Sequence, residues 1–214
     1  MTTREPEFIF QLKAEDILQE MKYKTAGAAP DRIVSLAEEA VKEIEQTVEP
    51  SFGLNLEVDL EDFEFTEYSA GFPVGRLSLG CVTLGADLDT VMKFHREKGE
   101  DTYEFMMQLG SNLIVEALAD HVNYLICHSR DREHMLTPAF RKSPGVGRVP
   151  LHENRPIADY LHVDRIQIEV TDLFQLLPKK SILFFVEWAP RKVHHNDLQK
   201  RCHHCGKNPC EFRI

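Results

Sequence analysis

An α+β fold, with a mainly antiparallel sheet covered by helices, is predicted by three features of the sequence. Helix-period and strand-period segments are interspersed, without the regular strand–helix–strand rhythm of a parallel sheet. Apolar residues switch from spacings of three and four to strict alternation at Leu54. The chain has 214 residues, 43% of them hydrophobic and 28% charged, enough for one core without staples.

The elements follow in order. Residues 11–22 form a short amphipathic helix with Leu12, Ile17, Leu18 and Met21 on one side. Pro30 and Asp31 open a second helix, where Ile33, Leu36, Ala37, Ala40, Val41, Ile44 and Val48 recur at helical spacing until Pro50 and Gly53 stop it. Leu54, Leu56, Val58 and Leu60 then alternate with polar residues, as in a strand with one wet face. Residues 76–86 read as another strand, and Asp87 as the N-cap of a third helix. A long helix over 101–128 is apolar enough to be packed on most sides, with Met106 and Met107 as core filling. Residues 137–152 hold three prolines and two glycines and read as a loop. A short helix near 153–162 and strands at 165–171 and 182–188 complete the pattern. Residues 1–190 are expected to form one domain, followed by a His/Cys-containing tail at 191–214.

Charge and composition exclude several functions. With 25 Lys+Arg against 35 Asp+Glu, the net charge of −10 disfavours binding to nucleic acid or an anionic membrane. No long apolar run and no export signal is present, so a cytoplasmic setting with reduced cysteines is expected. Cys81 in a strand and Cys127 on the long helix read as buried thiols. Glu38, Glu39, Glu43 and Glu45 read as a solvated helix face. No nucleophile elbow, Walker loop or dinucleotide fingerprint occurs.

The most informative segment is Arg141-Lys142-Ser143-Pro144-Gly145-Val146-Gly147-Arg148-Val149-Pro150-Leu151. Its glycines permit close backbone approach to a ligand, its prolines hold shape, and Arg141 offers a planar fork for a carboxylate. Four pieces in one order resemble the activation domain of vitamin B12-dependent methionine synthase in a free-standing form. They are Val82-Thr83-Leu84-Gly85, Leu109-Gly110-Ser111 through Val115-Glu116-Ala117-Leu118-Ala119-Asp120, the Arg141 loop with Pro150-Leu151, and Pro178-Lys179-Lys180-Ser181. The likeness covers much of 76–188, and residues 1–75 match only in layout.

The resemblance implies an α+β domain that binds S-adenosylmethionine and supports reductive remethylation of cob(II)alamin. The cobalamin is then carried by a separate corrinoid-binding methionine synthase module, and an electron donor is required. Glu116 falls where the family meets the ligand's ammonium, and Arg141 where it meets the carboxylate. The backbone of Ser143, Pro144 and Gly145 is implied on the adenosine side. Val146 stands where the family usually has a tyrosine. No side chain is expected to act as a nucleophile; orientation and exclusion of water carry the methyltransferase role. Two other classes stay open: a non-catalytic docking module with the same fold, and a metal-binding regulatory protein that uses the tail.

That tail contains Cys202, Cys205 and Cys210. Two residues between the first pair let both thiolates reach one ion, and His203 or His204 could supply a fourth ligand. Zinc or an iron–sulfur cluster would suit these donors.

Overall fold

The computed structural model describes residues 8–23, 28–59, 62–69, 76–130, 136–138 and 141–190. Helices α1 (Ala14–Glu20) and α2 (Asp31–Thr47) precede strands β1 (Ser51–Val58) and β2 (Arg76–Thr83). Helices α3 (Asp87–Glu97) and α4 (Asp101–Arg130) follow, then β3 (Leu136–Pro138) and α5 (Asn154–Leu161). Strands β4 (Glu169–Val170), β5 (Leu176–Leu177) and β6 (Ser181–Pro190) complete the order. The main sheet runs β1-β2-β6-β3 with every pair antiparallel, and β4 and β5 form a separate two-stranded ribbon. The α+β architecture expected from the sequence is the one observed. No described helix is long and apolar enough to cross a membrane.

Both faces of the sheet are covered. On one, α1 to α4 bury Ile17, Leu18, Ile44, Met106, Met107 and Leu118 against Val82, Phe184, Val186 and Trp188. On the other, Ile157, Val163, Ile168 and Val149 cover Leu77, Leu79, Cys81, Leu183 and Phe185. Strand alternation explains the split, since neighbours along β6 point to opposite sides. Phe184 and Phe185 are both fully buried, each contributing about 1.5–3 kcal/mol to the fold. Gly80 lies opposite Phe184 across β2 and β6, and the absent side chain makes room for the ring.

Several boundaries differ from the sequence reading. Strand β1 begins at Ser51, and its register shifts between Asn55 and Val58. That irregularity turns Val58 into the second core, while Phe52, Leu54 and Leu56 face the helices. Asp87 is the first residue of α3 and not its cap, which is Ala86. The segment 137–152 is more ordered than a loop: Leu136–Pro138 pairs with β6, and Lys142 bridges to Phe185. Residues 163–166 form a 3₁₀ turn where a strand is expected, leaving only Glu169–Val170 extended. Gln167, with φ of 59°, breaks the extended run.

Cys81 is buried as expected, its Sγ 3.5 Å from the Gly53 carbonyl, whereas Cys127 is only half-buried. Burial pushes the Cys81 thiol up to about 11 from an ordinary 9.0. The unfolded thiol therefore ionises first, and this contribution to stability is lost as pH rises through that window. At neutral pH, Cys81 should resist iodoacetamide in the folded chain and react after unfolding, as read by peptide mass spectrometry. Native labelling at the rate of a free thiol would contradict its burial.

Candidate functional site

Helix α4 is apolar on most sides, but Glu104, Gln108, Asn112, Glu116 and Asp120 recur every four residues and align as one polar ridge. Each part of the ridge meets a cation. Arg96 pairs with Glu104 at 2.5 Å. Lys180, buried, donates from Nζ to Gln108 Oε1 at 2.6 Å and Asn112 Oδ1 at 2.7 Å. Desolvation holds the Lys180 ammonium below the usual lysine range, against the opposing pull of the Asp89 and Glu104 carboxylates.

Arg141 takes the far part of the ridge. Its Nη2 donates to Glu116 Oε2 at 2.6 Å, and its Nε donates to Asp120 Oδ1 at 3.0 Å. The guanidinium lies 5.7 Å from the centroid of the Phe184 ring. Its side chain is 7% exposed, against 57% for Glu116 and 48% for Asp120. A guanidinium has five N–H donors in a planar fork, and neither acid engages Nη1. Such a set (one fixed cation and two partly wet carboxylates) can meet a zwitterionic group with both signs of charge.

The structure thus brings together Glu116 and Arg141, the two side chains singled out in the sequence. It adds Asp120, one helical turn further along. The four-residue spacing of polar side chains on an otherwise apolar helix is the signal that could have revealed the whole ridge.

Beside Arg141 the chain closes on itself. Val146 N–H donates to the Ser143 carbonyl at 3.1 Å, and Gly145 N–H to the Val149 carbonyl at 2.9 Å. Gly145 and Gly147 have φ of +79° and +63°, in the left-handed region that favours glycine. Pro144 and Val149 are buried supports, while Gly145 and Val146 are exposed, Val146 at 62%. Ser143, half-buried, begins the turn.

A second polar cluster lies at the other end of α4. His95 Nδ1 is 2.6 Å from Glu100 Oε2, and Nε2 is 3.0 Å from Glu43 Oε2, which also accepts the Tyr103 hydroxyl at 2.8 Å. Burial and the adjacent Glu43 push the Tyr103 phenol up. Glu43 is therefore tied into a corner between α2, α3 and α4 and is not simply a solvated residue. A cleft of about 780 Å³ opens at this corner, away from Arg141.

Among the described residues, no group of three His, Cys, Asp or Glu side chains could hold a metal ion. The tail ligands Cys202, Cys205, Cys210, His203 and His204 lie outside the described residues. His121 on α4 packs between the rings of Phe8 and Phe52.

No protein-family model and no curated protein matches the sequence. A solved structure does: the MetH reactivation domain bound to AdoHcy, at 13% identity and a TM-score of 0.57. The match covers 86% of this chain and 76% of that one. At that identity the likeness is one of architecture. The chain is built on the fold of the methionine synthase reactivation domain.

Proposed function

We propose that this chain binds S-adenosylmethionine on the α4 ridge and supports reductive remethylation of cob(II)alamin held by a separate corrinoid protein. The observation that carries the reading is Arg141, buried over Phe184 and held by Glu116 and Asp120 next to the self-closed turn at 143–149. The likeness to a reactivation domain that was solved with AdoHcy supports the same ligand class.

Each residue has a limited task. Arg141 pairs its guanidinium with the ligand carboxylate, and Glu116 accepts the ammonium. The backbone around Ser143, Pro144 and Gly145 borders the adenosine, and Val146 offers only an apolar edge there. A corrinoid on the partner protein would supply the redox chemistry, with one electron from an external donor and S-adenosylhomocysteine as the product of methyl transfer. This chain orients the sulfonium and keeps water away from the transfer. The tail at Cys202, Cys205 and Cys210, with His203 or His204, is proposed as a separate zinc or iron–sulfur site.

The test is anaerobic. A cob(II)alamin-loaded corrinoid module of methionine synthase, S-adenosylmethionine and a low-potential reductant are mixed with or without this chain. Accelerated appearance of the methylcobalamin spectrum, lost in Glu116→Gln, is the expected result. Equal rates with and without the chain would refute the reading.

A further inference from the structure

Between β3 and α5, among the described residues, the segment that carries Arg141 is tied to the main sheet at Lys142. Lys142 N–H donates to the Phe185 carbonyl at 2.9 Å, and Phe185 N–H donates to the Lys142 carbonyl at 2.8 Å. Adjacent residues of an extended chain point to opposite faces. Arg141 therefore reaches over Phe184 to α4, and Lys142 turns to the reverse face, toward Phe185 and Tyr68.

On that reverse face Lys142 meets a fully buried acid. Glu187 has a side chain with 0% exposure and accepts from Lys142 Nζ and, at 2.8 Å, from the Tyr68 hydroxyl. Lys142 Nζ also donates to the Tyr68 oxygen at 2.7 Å. Tyr68 is itself fixed. The Glu153 carboxylate, also with 0% exposure, accepts the backbone N–H groups of Thr66, Glu67 and Tyr68 at 2.9, 2.6 and 2.8 Å. The Tyr68 ring packs on Phe65 and Phe185, with centroids 5.0 and 5.2 Å away.

We propose that Tyr68, Glu187 and Lys142 are positioning residues that hold Arg141 on the α4 ridge from the opposite side of the sheet. A one-residue slip of this segment would swap the faces of Arg141 and Lys142. It would pull Lys142 away from Glu187 and the Tyr68 hydroxyl and bring Arg141 to the buried acid in its place, breaking the bonds that join the three residues. The bonds of Lys142 to Glu187 and Tyr68 thus hold one register, and that register aims the Arg141 guanidinium at Glu116 and Asp120. The ligand part of this inference rests on the S-adenosylmethionine reading; the aim of Arg141 does not.

The test uses the full chain with Lys142→Met and Glu187→Gln combined, so that no buried charge is stranded. The first readout is hydrogen exchange of the Arg141 Nε–H resonance, protected in the wild type by its bond to Asp120. The second is the ratio of affinities for S-adenosylmethionine and 5′-methylthioadenosine, which lacks the amino-acid end. A folded double variant should lose the protection, and the ratio should fall by up to about a hundredfold, the scale of a misplaced positioning group. Lys142→Arg, which keeps the cation, should restore both. Wild-type exchange and an unchanged ratio in the double variant would overturn the proposal. Should the double variant fail to fold, Tyr68→Phe carries the same exchange test at smaller amplitude. Faster Arg141 exchange then supports the proposal, and an unchanged rate overturns it. A wild-type chain that protects Arg141 yet binds no S-adenosylmethionine refutes the functional reading, and the exchange rates still decide the positioning.

Discussion

Gly80→Ala should be among the most damaging single substitutions in this chain. A Cβ at Gly80 would stand 2.4, 2.7 and 2.8 Å from Cζ, Cε1 and Cε2 of Phe184. That ring is fully buried, and the Arg141 guanidinium lies 5.7 Å from its centroid. Forced overpacking of this kind costs about 3 kcal/mol, at the top of the usual range. For a chain of this size each kcal/mol lowers Tm by roughly 2–4 °C, so a drop of about 6–12 °C is expected by calorimetry. Gly110→Ala is the matched control. Its Cβ would meet Ile44 Cδ1, Leu12 Cδ2 and Ile17 Cδ1 at 2.8, 3.0 and 3.1 Å, all ends of flexible side chains. Alanine also gains about 1 kcal/mol of helix propensity over glycine, so the net change should be small. A Gly80→Ala protein as stable as Gly110→Ala would show that Phe184 is not seated over Gly80.

The second large effect is on the ligand. Arg141→Met keeps an apolar stem over Phe184 and removes the only guanidinium on the Glu116–Asp120 part of the ridge among the described residues. A hydrogen bond to a charged group contributes about 1.5–3 kcal/mol, so losing a two-bond carboxylate clamp removes about 3–6 kcal/mol. At 1.4 kcal/mol per tenfold, S-adenosylmethionine affinity should fall about a hundredfold or more. Stability should change less than in Gly80→Ala, because Glu116 and Asp120 are half-exposed and rehydrate. A folded Arg141→Met chain with nearly wild-type affinity would remove Arg141 from the site.

How far the sequence speaks depends on the range of the signal. Helices α2 and α4 are legible because their apolar spacing runs through many turns, and β2 and β6 because both faces are buried. The 3₁₀ turn at 163–166 mimics a strand, since Ile166, Ile168 and Val170 alternate although Gln167 is left-handed. The short ribbon of β4 and β5 has two residues per strand, too few to show a period. Glu116 and Arg141 carry no local signature as a pair; the resemblance singles them out, and the fold brings them within hydrogen-bonding distance. Tyr68, Lys142 and Glu187 lie far apart in sequence and meet only through β6 and the bridge at Phe185. Each of them alone looks like an ordinary surface residue.

The central claim, that the Arg141 end of the α4 ridge receives the amino-acid part of S-adenosylmethionine, is tested most directly by calorimetric titration of the wild-type chain. S-adenosylmethionine should bind at one site per chain with micromolar affinity, and 5′-methylthioadenosine about a hundredfold more weakly, the loss of a clamp of this strength. Absence of heat at millimolar S-adenosylmethionine, or equal affinity for the two ligands, would contradict it.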